Sequence, residues 1–288
     1  ELGARAAEAV ALLALIAGQD VEPDTDSDGT DGRWRIAQQV APDRVISTVD
    51  PEARHAHKTV HRRQDGFKAH IAVEPDTGII TDCALTKASG PGTHDAAVAS
   101  HLLADEQQPV TVLGDSAYGT GEFRAHLAEA KHVDRVKSAP LRPAVAGGFT
   151  IDDFTVDHTA RTATCPAGIT RTLTEAGNAI YGAACRGCLL RTQCTTSVQG
   201  KTLKIREHDA LQRAARRTSR ETFWLNEYRQ HRPMVERTIA WLTRGNRKVR
   251  YRGVLRNDHW LHHRAAAVNL RQLVTMGLTH TGSTWAIA

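Results

Sequence analysis

A chain of 288 residues with 41% hydrophobic and 24% charged side chains can bury a full core, which excludes a fibrous or wholly disordered polymer. Its longest apolar run, Val10 to Gly18, is too short to cross a membrane and lacks the basic start of an export signal. The net charge of +5 is unevenly spread: residues 201–288 hold 18 Lys and Arg against 6 Asp and Glu (+12), leaving 19 against 26 (−7) in residues 1–200. Positive charge gathered at one end points to a polyanionic partner, most simply nucleic acid.

In chain order, residues 1–32 read as a short apolar segment and an acidic linker, "DVEPDTDSDGTDG". The chain opens at Glu1 with no initiator Met, so it is read as a piece of a longer product whose N-terminal part is reduced or missing. Residues 33–148 carry short β-branched or apolar runs bounded by Pro, Gly and Asp. These predict strands at 44–50, 67–73, 79–85, 110–115 and 133–138. "EPDTG" marks a hairpin between the second and third. Helical patterns fall between the later strands, in "HDAAVASHLLADE" and "GEFRAHLAEAK". That order predicts an α/β fold, an antiparallel start passing through crossovers into a mixed sheet with helices on its faces. Residues 149–207 are polar and rich in Cys and Gly, and in the C-terminal part, 208–288, helical periodicity returns from His208 and persists to about Gly277.

Three acids stand out. Asp50 ends the first predicted strand and Asp115 the fourth, where open sheets place their ligand sites. Either alone is as easily a turn or cap residue. Together they form a carboxylate pair of the kind that needs a cation between its members, and Mg²⁺ is commonly held this way. The third is Glu236, the single acid among eight Arg and Lys residues between Tyr228 and Arg252. Val235, Ile239 and Leu242 predict the buried stripe of a helix, and Glu236 sits one position round from it. The plainer role for Glu236 is a surface pair with Arg232 at i−4, worth a few tenths of a kcal/mol.

The stretches "STVDPEARHAHK", "DGFKAHIAV", "VLGDSAYGTGE" and "RPMVERTIAWL…NRKVRYRGV" resemble the catalytic domain of bacterial insertion-sequence transposases of the DDE superfamily, from about Val21 to Leu278. The resemblance implies an RNase H-like core over 33–148 and 208–288, with 149–207 as an insertion. It implies catalytic, metal-binding roles for Asp50, Asp115 and Glu236. Arg232 matches the family's Arg before the Glu, Tyr228 lies one position out of the family spacing, and Arg244 stands near its expected Lys. The implied reaction is phosphoryl transfer with two Mg²⁺ (or Mn²⁺) ions, cutting transposon ends and joining them to target DNA. Lys58, Lys68, Arg232, Arg244, Arg247, Lys248, Arg250 and Arg252 are the candidates for holding DNA phosphates. The implied partners are double-stranded DNA, as transposon ends and target, and further copies of the chain assembled on it. No membrane is expected, and the location is cytoplasmic, at the nucleoid when bound to DNA.

Cys83 lies alone on a strand and reads as a small core residue. Cys165, Cys185, Cys188 and Cys194 fall together in the insertion, as expected of a structural Zn²⁺ site fixing a segment without a core of its own. Disulfides and an iron–sulfur cluster are the competing readings. At the level of function, an active cutting and joining enzyme competes with a catalytically silent, zinc-stabilised DNA-binding remnant and with a general RNase H-like nuclease.

Overall fold

The computed structural model describes residues 3–41, 43–56, 64–245 and 247–287. The chain divides into two compact units, residues 1–104 with 233–288 and residues 105–232.

The first unit opens with helix α1 (Ala4–Gly18), none of whose residues is fully buried. The acidic tract that follows, expected as a flexible linker, closes an antiparallel hairpin of β1 (Val21–Pro23) and β2 (Trp34–Ile36). Its acids make the turns themselves: Asp28 Oδ1 accepts from the Thr30 N–H at 2.9 Å, and Asp31 Oδ1 from the Arg33 N–H at 3.0 Å. Residues 44–50, expected as a strand, form none. The reason is local: Val45 is buried, and its N–H and C=O are met by the side-chain amide of Gln19, at 3.0 and 2.8 Å, where a strand would need a ladder partner.

The expected hairpin is present. β4 (Asp65–Val73) pairs antiparallel with β5 (Ile80–Lys87), Phe67 opposite Lys87 and Ile71 opposite Cys83, and the two-residue β3 (Arg54–His55) pairs with β4 on its other side. The turn closes as the Glu74 N–H donates to the Ile79 carbonyl and the Gly78 N–H to the Glu74 carbonyl, with Glu74 side-chain oxygens accepting from the Asp76 and Thr77 N–H groups. Helix α2 (Asp95–Leu102) packs Ala96, Val98, Ala99 and Leu102 inward.

The second unit contains a parallel pair, β6 (Thr111–Gly114) with β7 (Val133–Val136), joined by α3 (Gly121–Glu129). This pair is a separate two-stranded sheet, so the strands do not form the one mixed sheet expected, although the α/β class holds. The Cys-rich segment then folds as a nodule of three-residue strands. β8 (Thr155–Asp157), β9 (Thr162–Thr164) and β10 (Thr170–Thr172) make one sheet. β11 (Asn178–Ile180) pairs with β12 (Thr202–Lys204), and the single-turn α4 (Arg191–Cys194) lies between them in sequence. Contrary to expectation the nodule has an apolar core: Phe154, Ala163, Ala179, Tyr181, Leu203 and Ile205 are buried together, with Cys194 among them. Helices α5 (Asp209–Thr218) and α6 (Thr222–Leu242) follow, and the boundary between the units falls inside α6 at Pro233.

Returning to the first unit, α7 (Val254–Thr275) lies along β5, burying Leu261, Ala265 and Val268 against Ile80, Cys83 and Leu85. Its polar side chains also close the open edge of that strand. Asp258 accepts from the Leu85 N–H at 2.7 Å, and Asn269 bonds both the N–H and the C=O of Ile80 at 2.8 Å. Cys83 is buried as expected, with its thiol pushed up to about 11 by burial. The hairpin of β13 (Leu278–Thr281) and β14 (Thr284–Ile287) ends the described chain.

Candidate functional site

Asp50 heads a tight turn. Its N–H donates to Ser47 Oγ at 3.2 Å, its carbonyl accepts from the Ala53 N–H at 3.0 Å, and its Oδ1 faces the Glu52 N–H at 3.3 Å. Behind the turn, Arg54 is only 3% exposed. Its Nη1 donates to the carbonyls of Pro51 and Ala53 at 2.6 and 2.9 Å, and its Nε donates to Asp43 at 2.7 Å. That bond holds the Asp43 carboxyl below the usual range. The remaining Asp50 oxygen, Oδ2, accepts from the Gly253 N–H at 3.1 Å, just where α7 begins.

Glu236 stands in the part of α6 that belongs to the same unit, and it is exposed. The expected stripe shifts by one residue. Ile239 is 42% exposed, whereas Thr238 is wholly buried and donates its hydroxyl to the Met234 carbonyl at 3.0 Å. Met234, Thr238 and Leu242 recur every fourth residue, one face of a helix, and Glu236 is about 200° round from Thr238 at 100° per residue. Between α6 and α7, Arg244, Arg247, Lys248, Arg250 and Arg252 are all exposed. Lys68 is instead paired with Asp95 at 2.8 Å, and Lys58 lies outside the described residues. Asp95 is a first-turn acid of α2 and also stands 3.5 Å from Nδ1 of His70.

In the second unit Asp115 follows β6 directly. Its Oδ1 accepts from the Ala117 N–H at 2.9 Å, and its Oδ2 lies 3.6 Å from Arg232. The structure thus brings two of the sequence-selected residues together. β7 and the loop after Asp115 are held by groups that hydrophobic periodicity does not reveal. Arg124, 2% exposed, pairs with Asp134 and donates to the Val136 carbonyl and Ser138 Oγ, both at 3.1 Å. Gln212 donates to the Gly119 carbonyl at 2.8 Å. Tyr228 stacks on Trp224 with ring centroids 5.0 Å apart.

The four insertion cysteines line one small cavity of the nodule with Phe154 and Tyr181, and none is in a disulfide. Cys185 Sγ accepts from the Lys201 N–H at 3.4 Å, and burial pushes the Cys194 thiol up. Among the described residues, however, no group of three or more His, Cys, Asp or Glu stands ready to hold a metal ion.

Residues 164–274 match the family model described as a transposase DDE domain. The matched segment of that domain runs from the first insertion cysteine's neighbour through α7, so it contains Glu236 and the basic segment, while Asp50 and Asp115 precede it. No curated protein and no solved structure matches the chain. Among the described residues no helix is long and apolar enough to cross a membrane.

Proposed function

We propose that this chain is a DNA transposase that cuts transposon ends and transfers them to target DNA. The match of residues 164–274 to a transposase DDE domain carries the reading, because that segment holds both Glu236 and the Arg- and Lys-rich run beside it. In this reading Asp50, Asp115 and Glu236 are the catalytic acids of an RNase H-like core formed by 33–148 and 208–288, with 149–207 inserted. Their donor chemistry suits the metal: all three offer hard carboxylate oxygens, the ligands Mg²⁺ or Mn²⁺ prefers. When bound, two such ions supply a polarised water or 3′-hydroxyl and stabilise the leaving oxygen.

The protein's own groups position the substrate. Arg232, 3.6 Å from Asp115, supplies fixed positive charge beside one of the acids. Arg244, Arg247, Lys248, Arg250 and Arg252 hold phosphates along the DNA backbone, which sets register without reading bases. The partners are double-stranded DNA and further copies of the chain on it, in the cytoplasm at the nucleoid. The expected result is Mg²⁺- or Mn²⁺-dependent cleavage that Glu236→Gln abolishes while the protein stays folded. Binding that persists with no cleavage under any metal condition would overturn the reading.

The cysteine cavity is proposed to hold one structural Zn²⁺. Four thiols around one cavity, and a main-chain N–H donated to Cys185 Sγ, support this, since such N–H···S bonds stabilise thiolate ligands. Metal analysis should find about one zinc per chain. Metal-free protein with all four thiols freely alkylated in the native state refutes the proposal.

A further inference from the structure

Asn257 is wholly buried, although it is an amide in the opening turns of α7. Buried amides persist where their hydrogen bonds are met, and each partner of this one is main chain of the segment just before the helix. Its Oδ1 accepts from the Tyr251 N–H at 2.9 Å, and its Nδ2 donates to the carbonyls of Tyr251 and Gly253, both at 2.7 Å. One side chain therefore fixes the backbone at the end of the exposed run that carries Arg250 and Arg252.

The same segment is fastened to the Asp50 turn. Gly253 donates its N–H to Asp50, and the next N–H, that of Val254, donates to Glu52 Oε2 at 2.7 Å. Two carboxylates at the start of a 22-residue helix also complement its dipole. Gly253 has φ +80°, and a Cβ there would stand 2.8 Å from Glu52 Oε2, so the approach requires glycine. With Arg54 gripping it from behind, the turn that bears Asp50 is held from both sides.

We propose that Asn257 and Glu52 are positioning residues that fasten the basic segment 250–252 to the turn bearing Asp50. Phosphate binding and carboxylate orientation are then set by one rigid piece, ordered before DNA arrives. The inference rests on the reading of Asp50 as a catalytic acid. It explains why a second carboxylate, two residues on, faces the helix start, and why a polar residue occupies the core there.

The test uses the full chain and the variants Glu52→Ala, Glu52→Gln, Asn257→Ala and Asp50→Asn. Three quantities are read: amide hydrogen exchange at 251–254 in metal-free protein, affinity for a labelled random-sequence duplex, and nicking of supercoiled plasmid at saturating DNA in Mn²⁺. Glu52→Ala and Asn257→Ala should speed exchange at 251–254 and slow nicking about 10-fold or more, with affinity changed only about 3-fold. Glu52→Gln keeps an oxygen for the Val254 N–H and should stay within about twofold of the parent in all three. Glu52 lies on a surface turn, so Glu52→Ala decides the matter even where Asn257→Ala fails to fold. Parent-like nicking by Glu52→Ala, or an equal loss in Glu52→Gln, overturns the proposal. Asp50→Asn that nicks at the parent rate sinks the catalytic reading of Asp50 itself, and this inference with it, whatever Glu52→Ala does.

Discussion

The sheet of β3–β5 and the cysteine nodule both must satisfy backbone groups beside an apolar core, and they do it by different means. In the sheet, strands of nine and eight residues pair with each other, and the edge of β5 is finished by Asp258 and Asn269 of α7. The nodule has no helix of comparable length and no strand longer than three residues. It relies on close approaches of chain to chain. Gly200, at φ +91°, brings its Cα where a Cβ would be 2.4 Å from the Gly182 carbonyl oxygen, and Tyr181 donates its hydroxyl to the Ala163 carbonyl at 2.9 Å. A long helix can stand in for a missing strand; a nodule of short strands needs several separate closures, each small.

That contrast is most sharply tested at the centre of the nodule. Phe154 is 1% exposed, and Phe154→Ala should cost about 3–5 kcal/mol, enough to melt the nodule while β4, β5 and α7 keep their amide protection. Loss of protection in both regions together would show that they unfold as one.

Acid should act the other way round, on the sheet. His70 is 2% exposed in β4, and burial holds its pKa at about 4 against an ordinary 6.5, with Asp95 raising it and Lys68 lowering it. Between those two values the unfolded chain takes up a proton that the folded chain refuses. Stability from this group is therefore full above about pH 6.5 and is lost as pH falls toward 4, by on the order of 2–3 kcal/mol. Urea midpoints measured from pH 7 to pH 4 should fall less steeply in His70→Gln than in the parent. An identical slope in the two proteins would remove His70 from the account.

The smallest effect concerns the edge itself. Asn269→Ala leaves the N–H and C=O of Ile80 without their side-chain partner, and should cost about 1–3 kcal/mol, with faster exchange confined to the β5 edge. Exchange that spreads to β4 would mean that α7 supports the whole sheet rather than its edge.

What could be read in advance follows from these same differences. β4 and β5 are long enough for alternation to show and are joined by a turn with its own chemistry, so both were legible; so were α2, α3 and the C-terminal helices, from their 3.6-residue period. Residues 44–50 look like a strand because Val45 and Ile46 are β-branched, but Gln19, 26 residues away, takes the strand's place. The hairpin β1–β2 has three residues per strand, too few to rise above an acidic loop. Asp50, Asp115 and Glu236 could be singled out as candidates by position and resemblance. Glu52, Arg54, Arg124 and Asn257 could not, because each acts by bonding main chain, which leaves no period in the sequence. The one-residue shift from Ile239 to Thr238 has a related cause: the buried threonine hides its hydroxyl against its own helix and so packs like an apolar residue.

The closure around Asn257 has a further consequence for how the basic segment can change. Because the backbone of 251–253 is secured from within the helix it precedes, the outward side chains at 250 and 252 contribute nothing to its shape. That segment is a fixed mount with interchangeable fittings: a different pair of residues there would change the charge it presents while the mount stayed as it is.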